Sequence, residues 1–262
     1  MIIYKNHKEI QAMKHSNQIV AQILSELKDM VKPGIRTKKL DEYAERRTEE
    51  LGARPAFKGY RGYPASLCTS VNEEIVHGIP SSRKLKKGDI LSMDFGVVSH
   101  GFYGDAAVTV PVGEISPQAQ KLIEAVRESL DKGIEQMKVG NRISDISSSV
   151  QQSVESHGFS VIRNFVGHGI GLSLHEEPQV PNFGTPGHGA RIKPGMVLAI
   201  EPMIAEGHFE VEILDDNWTA VTKDRSLSAH YENTVAATEN GPEILSVYPK
   251  SGVENYRERK HA

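Results

Sequence analysis

Four acids stand where strand-like, apolar sequence would ordinarily exclude them. Asp94 closes the run Ile90-Leu91-Ser92-Met93, and Asp105 follows it after ten intervening residues. Glu201 sits in Ala199-Ile200-Glu201-Pro202-Met203, and Glu232 in His230-Tyr231-Glu232-Asn233-Thr234. A carboxylate buried alone titrates to neutral. Several that converge share protons or a cation. A carboxylate-rich cage suits Mn²⁺, Fe²⁺ or Co²⁺, with Zn²⁺ less favoured, and two such ions about 3.5–4 Å apart form a hydrolytic centre. Three histidines lie in turn-prone or glycine-rich segments: His77 before Gly78-Ile79-Pro80, His168 within Gly167-His168-Gly169-Ile170-Gly171, and His175 before Glu176-Glu177-Pro178.

The elements that must position these groups come in two copies. Lys32-Pro33-Gly34 with Gly52 repeats as Lys138-Val139-Gly140 with Gly158, an offset of 106 residues, and Leu85–Asp94 repeats as Ile192–Glu201, an offset of 107. In each copy a Lys-x-Gly turn leads into an apolar strand that ends on an acid. Apolar periodicity predicts helices over 7–31 and 37–51, and two more beginning at Ser116-Pro117 and Ser144, the last ending at Gly158. Strands are predicted at Ile90–Val98, Phe102–Val110, Met196–Ile204, Phe209–Leu214 and His230–Ala237. The result is an α+β architecture, an antiparallel sheet with helices over one side. If the hairpin after Asp94 turns on Ser99-His100, Asp94 directly opposes Asp105, with Cβ atoms about 4.5–5.5 Å apart. A turn on His100-Gly101 shifts the pairing by two residues.

Bulk properties narrow the function. Formal charge is −3, from 31 basic and 34 acidic residues, so no global field draws the chain to nucleic acid or an anionic membrane. One cysteine, Cys68, excludes an internal disulfide and a four-thiolate zinc site. The N-terminus lacks a signal-peptide core and no stretch reaches membrane-spanning length, which predicts a soluble, cytoplasmic protein. Three motif lookalikes fall away. Gly167-His168-Gly169-Ile170-Gly171 lacks the third glycine of a dinucleotide fingerprint, and Pro178 breaks the helix a zincin needs after His175. Asp94-Phe95-Gly96 has no kinase partner motifs.

These segments, together with Tyr60-Arg61-Gly62-Tyr63-Pro64 and Cys68–Pro80, resemble the methionine aminopeptidases of the pita-bread fold, in their short type I form. The resemblance runs from the first helix to about residue 247. It implies a pita-bread domain over 1–250, with pseudo-symmetric halves at 7–112 and 113–247, and a polar tail at 251–262. It also implies two divalent ions (Co, Mn, Fe, Zn or Ni) held by Asp94, Asp105, His168, Glu201 and Glu232. Glu201 would accept the proton of a metal-bridging water, His175 would stabilise the oxyanion, and His77 would contact the substrate amide. The methionine pocket would draw on Tyr60, Tyr63, Cys68, Leu174 and Trp218. Phe57 departs from the family pattern, standing near where many bacterial members have a small residue. The implied substrates are nascent polypeptides and peptides with a small second residue. A monomer is expected, with transient ribosome contact through Arg257, Arg259 and Lys260 and no sequence-specific nucleic acid. The alternative, an Xaa-Pro aminopeptidase of the same fold, would carry a separate N-terminal domain before the repeat.

Overall fold

The computed structural model describes residues 1–248; the predicted tail at 251–262, with Arg257, Arg259 and Lys260, lies outside them. Four helices form where the apolar periodicity predicts: α1 His7–Met30, α2 Thr37–Glu50, α3 Pro117–Glu135 and α4 Ile143–Ser156. α1 opens on a capping box in which Asn6 accepts from the Glu9 amide and Glu9 accepts from the Asn6 amide. The Ser116 hydroxyl caps α3, with Pro117 in its first turn.

Six strands carry the site: β1 Leu67–Val71, β2 Ile90–Ser99, β3 Phe102–Pro111, β4 Gly167–Gly169, β5 Val197–Ile200 and β6 Glu232–Thr238. They belong to one antiparallel, nine-stranded sheet. Its order is Arg54–Pro55, β2, β3, β6, β5, β4 and Glu176–Val180, with β1 added on β2 and Gly241–Ile244 on β6. The halves meet at the β3–β6 pair, where Ala107 registers with Glu232 and Ala106 with Asn233. The duplication survives in detail, because the isolated bridges Arg36–Lys84 and Arg142–Arg191 occupy equivalent places in the two halves.

Alternation along β2 and β3 separates core from chemistry. Leu91, Met93, Phe95 and Val97, with Ala106, Val108 and Val110, pack into one cluster with Val20, Ile23, Leu24 and Leu27 of α1 and Leu40 of α2. Asp94 and Asp105 occupy the opposite face. The helices therefore cover one side and leave the acids to the other, as the sequence predicts.

Three expectations change. The hairpin turns on His100-Gly101, so Asp94 registers with Ala107 and Asp105 with Gly96. His100 (φ 52°) and Gly101 (φ 80°) both take the left-handed conformation that a two-residue hairpin turn requires, and the glycine does so without strain. Asp94 and Asp105 are thus diagonal neighbours on one face rather than directly opposed. The strands expected at Met196–Ile204 and His230–Ala237 are each broken. Val197–Ile200 is followed by Met203–Ala205, and Ser228–His230 by Glu232–Thr238; Met203–Ala205 and Ser228–His230 pair with each other in a separate three-stranded sheet. Pro202 has no N–H to give the ladder, so the chain leaves the large sheet there. Glu201 and Glu232 both stand at these crossings. The strand expected at Phe209–Leu214 is shorter, Val211–Ile213.

Candidate metal centre

Strand register assembles the site before any side chain is considered. Cys68 on β1 registers with Asp94 on β2, Asp94 with Ala107 on β3, and Ala107 with Glu232 on β6. This makes one row across four strands, with the small Ala107 between two acids. Asp105 lies two residues along β3 and therefore on the same face. Asn233 registers with Ile200, which brings Glu201 beside Glu232 one step beyond β5. Ala199, two residues before Glu201, registers with His168 on β4. Asn182 fixes the corner by donating its side-chain amide to the Glu201 carbonyl at 3.0 Å.

The side chains converge as the backbone dictates. One ligand atom each from Asp105, His168 and Glu232 lie within 4.8 Å of one another. His168 Nε2 is 3.5 Å from Glu201 Oε1. His168 Nδ1 is 2.9 Å from the Gly169 carbonyl, which only accepts, so Nδ1 carries the proton and Nε2 turns its lone pair into the cage. Asp94 Oδ1, Asp105 Oδ1 and Glu232 Oε1 are buried without a hydrogen-bond partner among the described residues. Buried carboxylate oxygens are ordinarily satisfied. Three orphans beside a bare imidazole nitrogen fit a divalent cation.

Electrostatics agree with this reading. Burial raises Asp94 to about 7. Burial, reinforced by Glu232 and Asp94, raises Asp105 well above its ordinary value. Burial with Asp94 and Asp105 raises Glu201, and burial with Glu201 and Asp94 raises Glu232. Desolvation lowers His168 to about 3, keeping it in the neutral form that ligation needs.

A cavity of about 150 Å³ opens onto the acids, lined by every residue expected of the site: Tyr60, Tyr63, Cys68, His77, Leu174, His175 and Trp218 as well as the five cage residues. Tyr63 is anchored by donating its hydroxyl to the Gly78 carbonyl at 3.0 Å, and its ring meets Trp218 edge-on. His77 follows the strand Glu74–Val76 with a left-handed backbone, φ 61°, and its ring edge-on to Phe165 and Trp218, and burial lowers it to about 4. His175 Nδ1 is 2.8 Å from the Tyr60 hydroxyl. Cys68 is buried and its thiol is pushed up, chiefly by desolvation, which suits an inert wall. Phe57 also lines the cavity, against Gly96. A Cβ at Gly96 would come within 2.7 Å of the Phe57 ring, so the bulky wall depends on that glycine.

The profile of metallopeptidase family M24 matches residues 11–239. The chain belongs to metallopeptidase family M24. Among its relatives, a methionine aminopeptidase of Clostridium perfringens is 56% identical over 247 residues, spanning 94% of this chain and 99% of that protein. The crystal structure of a methionine aminopeptidase from Thermotoga maritima, at 48% identity, superposes with a TM-score of 0.92, covering 94% of this chain and 99% of that one. The prolidase from Pyrococcus furiosus shares the fold alone, at 22% identity and a TM-score of 0.74, with this chain covering 66% of its length.

This M24 member carries three features that sequence reasoning did not single out. His230, fully buried, places Nε2 3.7 Å from Glu201 Oε2, and that nitrogen has no hydrogen-bond partner among the described residues. Its place two residues before Glu232 was the available signal. Arg61 lines the cavity mouth. Lys5 and Glu176 form a buried pair at 2.5 Å, with side chains 2% and 5% exposed. The other oxygen of Glu176 accepts from the Leu172 and Ser173 amides, so the pair fixes the loop that carries Leu174 and His175. Removing one partner of a buried pair strands the other charge. Lys5→Met is expected to destabilise the fold by about 3 kcal/mol. Urea unfolding reads the loss, and amide exchange at Leu172 and Ser173 should accelerate; unchanged protection there would rule out the loop-fixing role.

Proposed function

We propose that the protein removes the N-terminal methionine from nascent polypeptides and peptides whose second residue is small. The observation that carries this reading is the single cavity joining the carboxylate–histidine cage to an aromatic wall of Tyr60, Tyr63 and Trp218. A thioether suits such a wall because sulfur–ring contacts add to apolar burial. Asp94, Asp105, His168, Glu201 and Glu232 would hold two divalent ions (Co, Mn, Fe, Zn or Ni). Bound there, the ions supply Lewis acidity and lower the pKa of water toward neutrality.

The chain's own residues do the rest. The methionine side chain enters between Tyr63, Cys68, Leu174 and Trp218, which excludes water from it. Glu201 accepts the proton of the attacking water. Tyr60 donates its O–H to His175 Nδ1, which leaves the imidazole proton on Nε2, the position from which His175 donates to the carbonyl oxygen as charge develops. His77 contacts the substrate amide beside the departing nitrogen. High identity to methionine aminopeptidases over nearly the whole chain supports the same assignment. The setting we infer is the cytoplasm, as a monomer acting near the ribosome.

The test uses protein stripped of metal, then supplied with Mn²⁺ or Co²⁺, against Met-Ala-Ser, Leu-Ala-Ser and Ala-Pro-Ala. Metal-dependent release from Met-Ala-Ser alone is expected. Cleavage of Ala-Pro-Ala instead would overturn the assignment in favour of a proline-specific peptidase, and silence on all three would overturn it outright.

A further inference from the structure

The cavity lining contains four carboxylates, three histidines and one permanent cation, Arg61. Of the lining residues only Arg61 and His175 are exposed, so together they form the rim. The Arg61 guanidinium lies over the Tyr60 ring at 5.4 Å, and Tyr60 in turn stacks on His175 with ring centroids 5.3 Å apart. Among the described residues the guanidinium has no ion pair and no hydrogen bond. Other exposed arginines here do find carboxylates, as Arg83 finds Glu74 and Arg225 finds Glu212. Arg61 also holds a left-handed backbone, φ 50°, uncommon for a side chain of its size. The turn Tyr60–Gly62 thus presents an unpaired charge at the mouth of an otherwise acidic cavity.

We infer that Arg61 is a specificity-determining residue that favours substrates with an acidic side chain at their third or fourth residue. This rests on the aminopeptidase reading above, because that reading puts the first residue at the bottom of the cavity and sends the rest of the chain out over the rim. An extended chain advances about 3.3 Å per residue, so the third and fourth residues pass within two ring contacts of His175, where the guanidinium stands. The bottom of the site is rich in carboxylates, and a cation at the mouth offsets their repulsion of an acidic chain.

The experiment compares amidated pentapeptides beginning Met-Ala, with Asp, Asn or Lys at the third or fourth position, cleaved by the Mn²⁺-loaded protein at low salt. At one of these positions kcat/KM is expected to favour Asp over Lys by roughly two- to five-fold, the range of an exposed ion pair. High salt should collapse the ratio. Arg61→Asn removes the charge and Arg61→Asp reverses it, and both residue types tolerate the left-handed backbone. The first is expected to abolish the preference and the second to invert it. Using the Asp-to-Lys ratio within each variant cancels any general loss of activity, and inversion is something a merely structural role would not produce. Equal rates on the Asp and Lys peptides in the parent, or the same ratio in Arg61→Asn, would overturn the inference while leaving the aminopeptidase reading intact. No methionine released even from the Asn peptides would instead overturn that reading, and this inference with it.

Discussion

Glu201→Gln is expected to lower the rate of methionine release about a thousand-fold, within the span of a lost general base. The substitution keeps side-chain volume and removes the ability to accept a proton. Glu201 lines the cavity, with one carboxylate oxygen 3.5 Å from His168 Nε2 and the other 3.7 Å from His230 Nε2. Burial raises its proton affinity, and Asp94 and Asp105 raise it further. Calorimetric titration with Mn²⁺ separates its two roles. If metal still binds while kcat collapses, Glu201 serves chiefly as proton acceptor. If affinity falls with activity and excess metal restores the rate, its contribution is ligation. A kcat within ten-fold of the parent, at saturating metal, would remove Glu201 from the proton-transfer step.

The sequence made the face of the sheet legible, because period-two alternation is local: Met93 and Phe95 face the helices, so Asp94 cannot. It made the helices legible for the same reason, down to Ser116-Pro117 at the start of α3. The register of the β2–β3 hairpin was ambiguous, since Ser99-His100 and His100-Gly101 are both acceptable turns. The positive φ at both His100 and Gly101 decides it. Apolar runs such as Met196–Ile204 concealed the corners, because hydrophobicity does not report which sheet a residue joins. Pro202 was the cue. Contacts made across the whole chain were not legible. Lys5 and Glu176 are 171 residues apart, and no pattern near either announces the other. The turn that carries Arg61 is closed by local backbone hydrogen bonds among Phe57, Gly59, Tyr60, Gly62 and Tyr63, but its place beside the cavity depends on contacts far along the chain, such as that of Tyr60 with His175.

The metal-free protein is expected to lose stability as pH rises above about 6.5, and bound metal to abolish that loss. In the folded state Asp94 is raised to about 7, and Asp105, Glu201 and Glu232 are raised as well. In the unfolded chain all four have released their protons above about pH 4.5. The buried histidines act in the opposite sense. His77 and His175 are lowered to about 4, and His168 and His230 to about 3, so they are neutral when folded, whereas the unfolded chain protonates them below about pH 6.5. Between roughly pH 4.5 and 6.5 the two sets oppose each other. Above that window the histidines are neutral in both states, and the carboxylates distinguish them, joined toward pH 8.5 by the buried Cys68 thiol, which acts in the same sense. The folded state then holds more protons, and each one costs about 1.4 kcal/mol of stability per pH unit. The loss accumulates over each pH unit in which the folded state keeps a proton that the unfolded chain has released, and Tm falls with it. A divalent ion replaces those protons, so its affinity rises with pH. Thermal unfolding from pH 6.5 to 8.5, with chelator or with Mn²⁺, should therefore show a falling Tm for the metal-free protein and a metal increment that widens with pH. A metal-free Tm that stays level or rises across that range would mean the four acids are already ionised, and the cage would then owe its charge balance to something other than shared protons.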